Sequence, residues 1–199
     1  MGVRRLVLLL LVAWSAAPGC AWFSRAADPL PSYAGFPLER FDRVDENLYR
    51  GAHPSRAQLR ELVARFGIRT VVKLNPDWQG DDEIPPGVVF IDAPIPAVFT
   101  PDPVVVDRIL DAIDRAPKPV FVHCRTGADR AGLIVALYKL RHGATVVEAR
   151  ADMVRHGFRP YRGMEITWRR AVADLERRRP GGGVRVTAGG VRGAPPAAR

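Results

Sequence analysis

His123-Cys124-Arg125-Thr126-Gly127-Ala128-Asp129-Arg130 places a thiol and a guanidinium at the two ends of a short loop. The apolar run Pro119-Val120-Phe121-Val122 precedes it, and Ala131-Gly132-Leu133-Ile134-Val135-Ala136-Leu137-Tyr138 follows. A strand, a tight loop and a helix N-terminus in that order form an anion cradle, because loop amides turn inward and the helix dipole adds positive potential. A helix N-terminus and a nearby arginine both favour a thiolate. A thiolate facing a bound phosphate begins covalent phosphoryl transfer.

Each residue type has a physical task. Cys124 is the nucleophile. Arg130 carries five N–H donors in a rigid fork and can hold two phosphate oxygens together with the charge that develops on them. Gly127 lets the backbone turn tightly and approach an anion with no Cβ in the way. The stretch Arg125, Thr126, Gly127, Ala128 and Asp129 supplies the substrate-binding loop, and His123 can fix its geometry by hydrogen bonding. With amides and Arg130 supplying the electrostatics, the chemistry requires neither metal nor other cofactor.

The pattern His-Cys-x-x-Gly-x-x-Arg resembles the signature of the cysteine-dependent protein tyrosine and dual-specificity phosphatases. The resemblance covers about residues 44–176. The entry Asn47-Leu48-Tyr49-Arg50-Gly51-Ala52-His53-Pro54-Ser55, followed by Gly67-Ile68-Arg69-Thr70-Val71-Val72-Lys73-Leu74, is similar to the compact bacterial and fungal-type branch. That branch includes atypical dual-specificity enzymes acting on phosphotyrosine, phosphoinositides or inositol phosphates. The resemblance implies attack by Cys124 while Arg130 clamps the equatorial oxygens, protonation of the leaving oxygen by a general acid, and hydrolysis of a cysteinyl-phosphate by water. It also implies a phosphorylated protein or an inositol phosphate as substrate.

The chain departs from the family pattern at two places. Many relatives carry Ser or Thr directly after the signature arginine, where the hydroxyl helps the thiolate leave; here the residue is Ala131. Relatives also place an acidic aspartate at a position that aligns near Ala97. The acid is therefore assigned to Asp102, with Asp92 and Asp129 as alternatives; Asp102 also suits the first turn of a helix, and Asp129 also suits the orientation of Arg130. These departures keep a second reading open, a phosphate-binding module with little turnover. A sulfur-transfer or arsenate-reducing enzyme would reuse a similar loop, but arsenate reduction of that type usually needs resolving cysteines, and Cys20 is the only other cysteine.

The elements around the loop alternate. Strands are expected over 47–50, 68–74, 88–91 and 119–122. Helices are expected over 55–66, from Thr100-Pro101 to about Arg115, over 131–141, from Thr145 to about Arg155, and over 164–177. Ser55 with Gln58, and Thr145 with Glu148, have the spacing of capping boxes, and Gly67 and Gly143 stand where helices end. Such alternation predicts an α/β fold, a mostly parallel sheet flanked by helices, of the dual-specificity phosphatase-like type. Ligands of such sheets bind beyond the C-terminal strand ends, where the Cys124 loop sits. The connection 155–162 is basic and carries aromatic residues. It reads either as a helix-terminating turn or as part of the site's mouth.

The 199-residue chain has a formal net charge of +9, but the excess lies at its ends. All 21 Asp/Glu fall within residues 28–176, whereas Arg4, Arg5, Arg25, Arg177, Arg178, Arg179, Arg185, Arg192 and Arg199 lie outside. The domain is neutral by count, which argues against a nucleic-acid platform. Residues 1–27 read as a targeting segment: Arg4 and Arg5, a short apolar stretch from Leu6 to Trp14, then small residues leading to Cys20. This resembles a bacterial lipoprotein signal with Cys20 as the lipidation site. Cleavage after Ala26 or Ala27 and a retained membrane anchor are the alternatives. An exported protein of the bacterial cell envelope or periplasm is expected. Organisation is then an irregular lead-in at 28–46, a phosphatase domain at 47–177 and a disordered Gly/Pro/Arg tail at 178–199; the oligomeric state is left open.

Overall fold

The computed structural model describes residues 33–76, 84–159 and 162–178. The targeting segment with Cys20, and the tail from 179 on, lie outside the described residues.

Five strands form one sheet in the order β1-β2-β5-β3-β4: β1 Asp42–Arg43, β2 Leu48–Gly51, β3 Thr70–Lys73, β4 Val89–Asp92 and β5 Val120–His123. The β2–β5, β5–β3 and β3–β4 pairs are parallel and only β1–β2 is antiparallel, so the mostly parallel α/β expectation is met. Parallel sheets are covered on both faces, and side chains alternate between them. Val72, Val120 and Val122 face a core built with the helices α2 (Pro103–Arg115), α3 (Asp129–Arg141), α4 (Val146–Arg155) and α5 (Arg162–Arg178). Val71 and Phe121 face the opposite core, with Leu59 and Leu62 of α1 (Arg56–Phe66). Each fully buried leucine of this kind stabilises the fold by about 1.5–3 kcal/mol.

Local signals place several helices as expected. The Ser55 and Thr145 capping boxes are both formed, and Gly67 ends α1 at φ +64°. The helix α3 is buried nearly all round, from Arg130 to Tyr138 and at Leu140, which suits a central helix whose sequence is apolar on every side.

Two expectations change. The start of α2 moves from Thr100-Pro101 to Pro103, with Asp102 as N-cap and Pro103 at the first turn. The cause is Asp102 itself, whose carboxylate accepts the Val104 N–H at 2.8 Å and closes the helix there. The lead-in is also not irregular throughout. From residue 33 it is integral to the domain: Phe36, Leu38 and Phe41 are buried, and β1 pairs with β2. Phe41 lies 4.9 Å from the Phe66 ring and stacks at 5.7 Å on Tyr49, so this segment completes the α1-side core.

Candidate active site

The strand β5 is buried along its whole length and delivers Cys124, itself 1% exposed, at the C-terminal edge of the sheet. Five residues later α3 begins. The intervening loop is held from outside by a series of donors. The His53 N–H donates to the Arg125 carbonyl at 3.3 Å, Arg40 Nη1 to the Thr126 carbonyl at 2.9 Å, and Arg50 Nη2 to the Gly127 carbonyl at 2.8 Å. The Ala128 carbonyl then accepts from the Gly132 N–H at 3.0 Å, the first turn of α3. Four consecutive carbonyls thus point away from the concave side. The Arg125, Thr126 and Gly127 amides have no acceptor among the described residues, and Ala128 gives α3 no side-chain cap. Unpaired backbone donors converging at a helix N-terminus bind anions.

Gly127 is required sterically as well as conformationally. Its φ is +72°, and a Cβ there would stand 2.6 Å from the Gly51 carbonyl carbon and 2.7 Å from the Ala52 nitrogen. Those atoms are backbone and cannot move aside, so the loop rests directly on the end of β2.

Arg130, in the first turn of α3, is 8% exposed, and its guanidinium makes no hydrogen bond or ion pair among the described residues. The fork is therefore held by packing and its donors remain for a ligand. His123 is 2% exposed and stacks on Phe121 at 5.4 Å, with His53 edge-on at 5.1 Å. Burial first, then the charges of His53 and Lys73, push its pKa down to about 3, so the ring is neutral. Its Nδ1 has no hydrogen-bond partner among the described residues. Ring stacking is therefore its visible contribution to loop geometry.

The three acid candidates occupy different settings. Asp129 accepts the Arg159 N–H at 2.8 Å, tying the first turn of α3 to the connection after α4. Asp92 is exposed at the end of the edge strand β4. Asp102 caps α2 through Oδ1, so proton delivery from it falls to Oδ2. Asp102→Asn preserves that capping oxygen and removes the proton. If Asp102 is the acid, kcat falls roughly 10²-fold or more and the basic limb of the pH profile disappears; a variant with unchanged kcat and profile moves the role to Asp92 or Asp129.

In the described part of the connection after α4, His156 and Phe158 turn inward, at 2% and 6% exposure. Pro160 and Tyr161 lie outside the described residues. Sequence reasoning missed Arg40 and Arg50 as loop-holding residues; the Tyr49-Arg50-Gly51 run next to the end of a strand was the available signal.

Comparisons with known proteins agree with this geometry. A family model described as a polymorphic toxin system DSP-PTPase phosphatase matches residues 44–144. The dual specificity protein phosphatase TpbA of Pseudomonas aeruginosa (strain UCBPP-PA14) is 32% identical over 154 residues, which is 75% of this chain and 65% of that protein. The chain spans about half to two thirds of the length of the curated relatives it matches. The crystal structure of P. aeruginosa TpbA superposes with a TM-score of 0.57 at 28% identity, covering 68% of this chain and 88% of that one, and TpbA has also been solved in complex with pTyr. The core catalytic domain of the PP-IP phosphatase SIW14 from S. cerevisiae shares the fold, with a TM-score of 0.57 at 17% identity, covering 71% of this chain and 91% of that one.

Proposed function

The chain belongs to the DSP-PTPase family of cysteine-dependent phosphatases, and from that premise we propose that it hydrolyses phosphomonoesters, phosphotyrosine among them, through a cysteinyl-phosphate. The observation that carries this reading is the conjunction of Cys124 and Arg130 around a loop whose four carbonyls from Arg125 to Ala128 are turned outward. The Cys124 thiolate attacks phosphorus; the S–P bond forms as the bond to the leaving oxygen breaks. Asp102 gives that oxygen its proton. Arg130 and the inward amides take up the charge on the equatorial oxygens. Water then attacks phosphorus, Asp102 takes its proton, and the S–P bond breaks to release phosphate and the thiolate.

TpbA's complex with pTyr supports a phosphotyrosine substrate here. Inositol phosphates and phosphoinositides remain within the same chemistry. Phosphate release from a tyrosine-phosphorylated peptide, a phosphoinositide and a soluble inositol phosphate, with Cys124→Ser as blank, tests the proposal; no release from any of them overturns it. A burst of stable phosphoenzyme without further release would instead favour the low-turnover alternative. Ala131 supports that alternative, because its buried methyl stands where many relatives have a hydroxyl.

The enzyme is further proposed to be exported to the bacterial envelope and anchored through Cys20. Support comes from Arg4 and Arg5, the short apolar stretch and the small residues before Cys20. Metabolic labelling of the full chain with a radiolabelled fatty acid is expected to be lost in Cys20→Ser; equal labelling of both sinks the anchor.

A further inference from the structure

Behind the loop lies a cluster of charged side chains built around the buried Arg50, Asp152 and His156. Arg50 of β2 is 0% exposed. Its Nη2 holds the Gly127 carbonyl at 2.8 Å while its Nη1 reaches Asp152 Oδ2 of α4 at 3.1 Å, across 102 residues of sequence. Asp152 also faces Lys139 of α3 at 3.2 Å and Arg155 at 2.8 Å. His156 joins from the end of α4: its Nδ1 lies 2.8 Å from the Asp152 carbonyl and its Nε2 lies 3.0 Å from Asp42 Oδ2 of β1.

A buried guanidinium is costly, and burial works to strip the Arg50 proton; the charges of Asp152, Cys124 and Asp42 oppose that. A fold that needed only to fill this space would place an apolar side chain there. The geometry offers a reason for the charge. The Gly127 carbonyl must point outward for the loop amides to point inward, and a single N–H donor fixed at both ends of a fork sets that orientation.

We propose that Arg50 is a positioning residue for phosphoryl transfer, orienting the Cys124 loop through the Gly127 carbonyl, and that Asp152 is the anchor that holds its guanidinium in place. This rests on the phosphatase reading above. Arg50 touches no substrate; it acts through the peptide units of the loop. Lysine in its place keeps the charge and loses the fork, so it can satisfy Asp152 or Gly127 but not both with fixed geometry. Asp152 keeps Lys139 and Arg155 as partners in an Arg50 variant, so the carboxylate is not orphaned by the change.

The experiment compares the full chain with Arg50→Lys and Asp152→Asn on an aryl phosphate, with inhibition by orthovanadate and thermal unfolding measured in parallel. Expected for Arg50→Lys are a kcat per folded molecule lower by roughly 10²-fold and weaker vanadate inhibition, alongside a fall in unfolding midpoint from the buried hydrogen bond that lysine leaves unmade. Asp152→Asn retains an acceptor oxygen and is expected to lie between that variant and wild type. Should Arg50→Lys be unstable, Asp152→Asn carries the test alone through the same kcat and vanadate readings. An active wild type whose kcat and vanadate inhibition are unchanged in both variants overturns the positioning role. A wild type that neither hydrolyses the ester nor binds vanadate overturns the phosphatase reading and the positioning role with it. A fall in unfolding midpoint with kcat per folded molecule unchanged marks Arg50 as structural only.

Discussion

Cys124→Ser is expected to abolish turnover, with kcat on an aryl phosphate lower by on the order of 10⁴-fold or more, while orthovanadate and phosphate still bind. The site is sealed around this atom: Cys124 is 1% exposed, at the end of a strand buried on both faces, so an isosteric change leaves the loop in place. In the proposed mechanism binding rests on the Arg125, Thr126 and Gly127 amides and on Arg130, none of which the substitution touches. What is lost is the nucleophile. A serine hydroxyl needs a base to remove its proton, and the adjacent His123 makes no hydrogen bond to Cys124 and faces the α1-side core alongside Phe121. Steady-state kinetics and isothermal titration on the same preparations separate the two effects. Retention of activity within tenfold of wild type would assign attack on phosphorus to a different group.

Much of this site is readable from the chain because its parts are contiguous. Cys124, Gly127 and Arg130 lie within seven residues, and local sterics fix how such a loop must turn. Capping is equally local, which is why Ser55 with Gln58 and Thr145 with Glu148 mark the starts of α1 and α4 correctly. The start of α2 is harder for the same local reason. Pro101 and Pro103 both suit a first helical turn, and only the reach of Asp102 to the Val104 amide decides between them.

Long-range packing hides the rest. Phe36 and Phe41 have no helical or strand period, Pro37 lies between them and Pro31 shortly before, so composition suggests an irregular lead-in. Their burial depends on Phe66 and Phe121 arriving from elsewhere in the chain. Arg50 is the sharper case. An arginine in a short strand ordinarily reads as solvent-facing, and nothing nearby in sequence suggests a carboxylate partner. Only the folding of α4 behind the loop brings Asp152 to it. A loop motif can therefore be read from its own residues, whereas the groups that hold the motif in shape are set by topology.

Acid is expected to destabilise the domain well above the range in which carboxylates titrate, and His123 is the reason. Its pKa is pushed down to about 3 from an unfolded value of 6.5, by burial and by the charges of His53 and Lys73. Below pH 6.5 the unfolded chain takes up a proton that the folded one refuses. Stability that is complete above pH 6.5 is therefore lost as pH falls toward 3, with a slope of up to about 1.4 kcal/mol per pH unit and a deficit of about 2 kcal/mol at pH 5. Asp42 and Asp152 act in the same direction lower down. Burial raises both, but the hydrogen bond and charge of His156 bring Asp42, and the charges of Arg50, His156 and Lys139 bring Asp152, below the usual carboxylate value near 3.8. Their contribution is present above that value and fades only beneath it, so these two carboxylates add little slope between pH 6.5 and 4.5. Urea unfolding at pH 7.5, 6 and 5 reads the slope, and His123→Gln, which has no ring to protonate, is expected to flatten it whatever its absolute stability. A wild-type unfolding free energy constant across those three pH values would show that His123 accepts its proton in the folded state. Because His123 directly precedes Cys124, its protonation forces charge into the stack of Phe121 and His53 beneath the loop. The same titrations followed by orthovanadate binding are thus expected to show the anion site failing together with the fold rather than ahead of it.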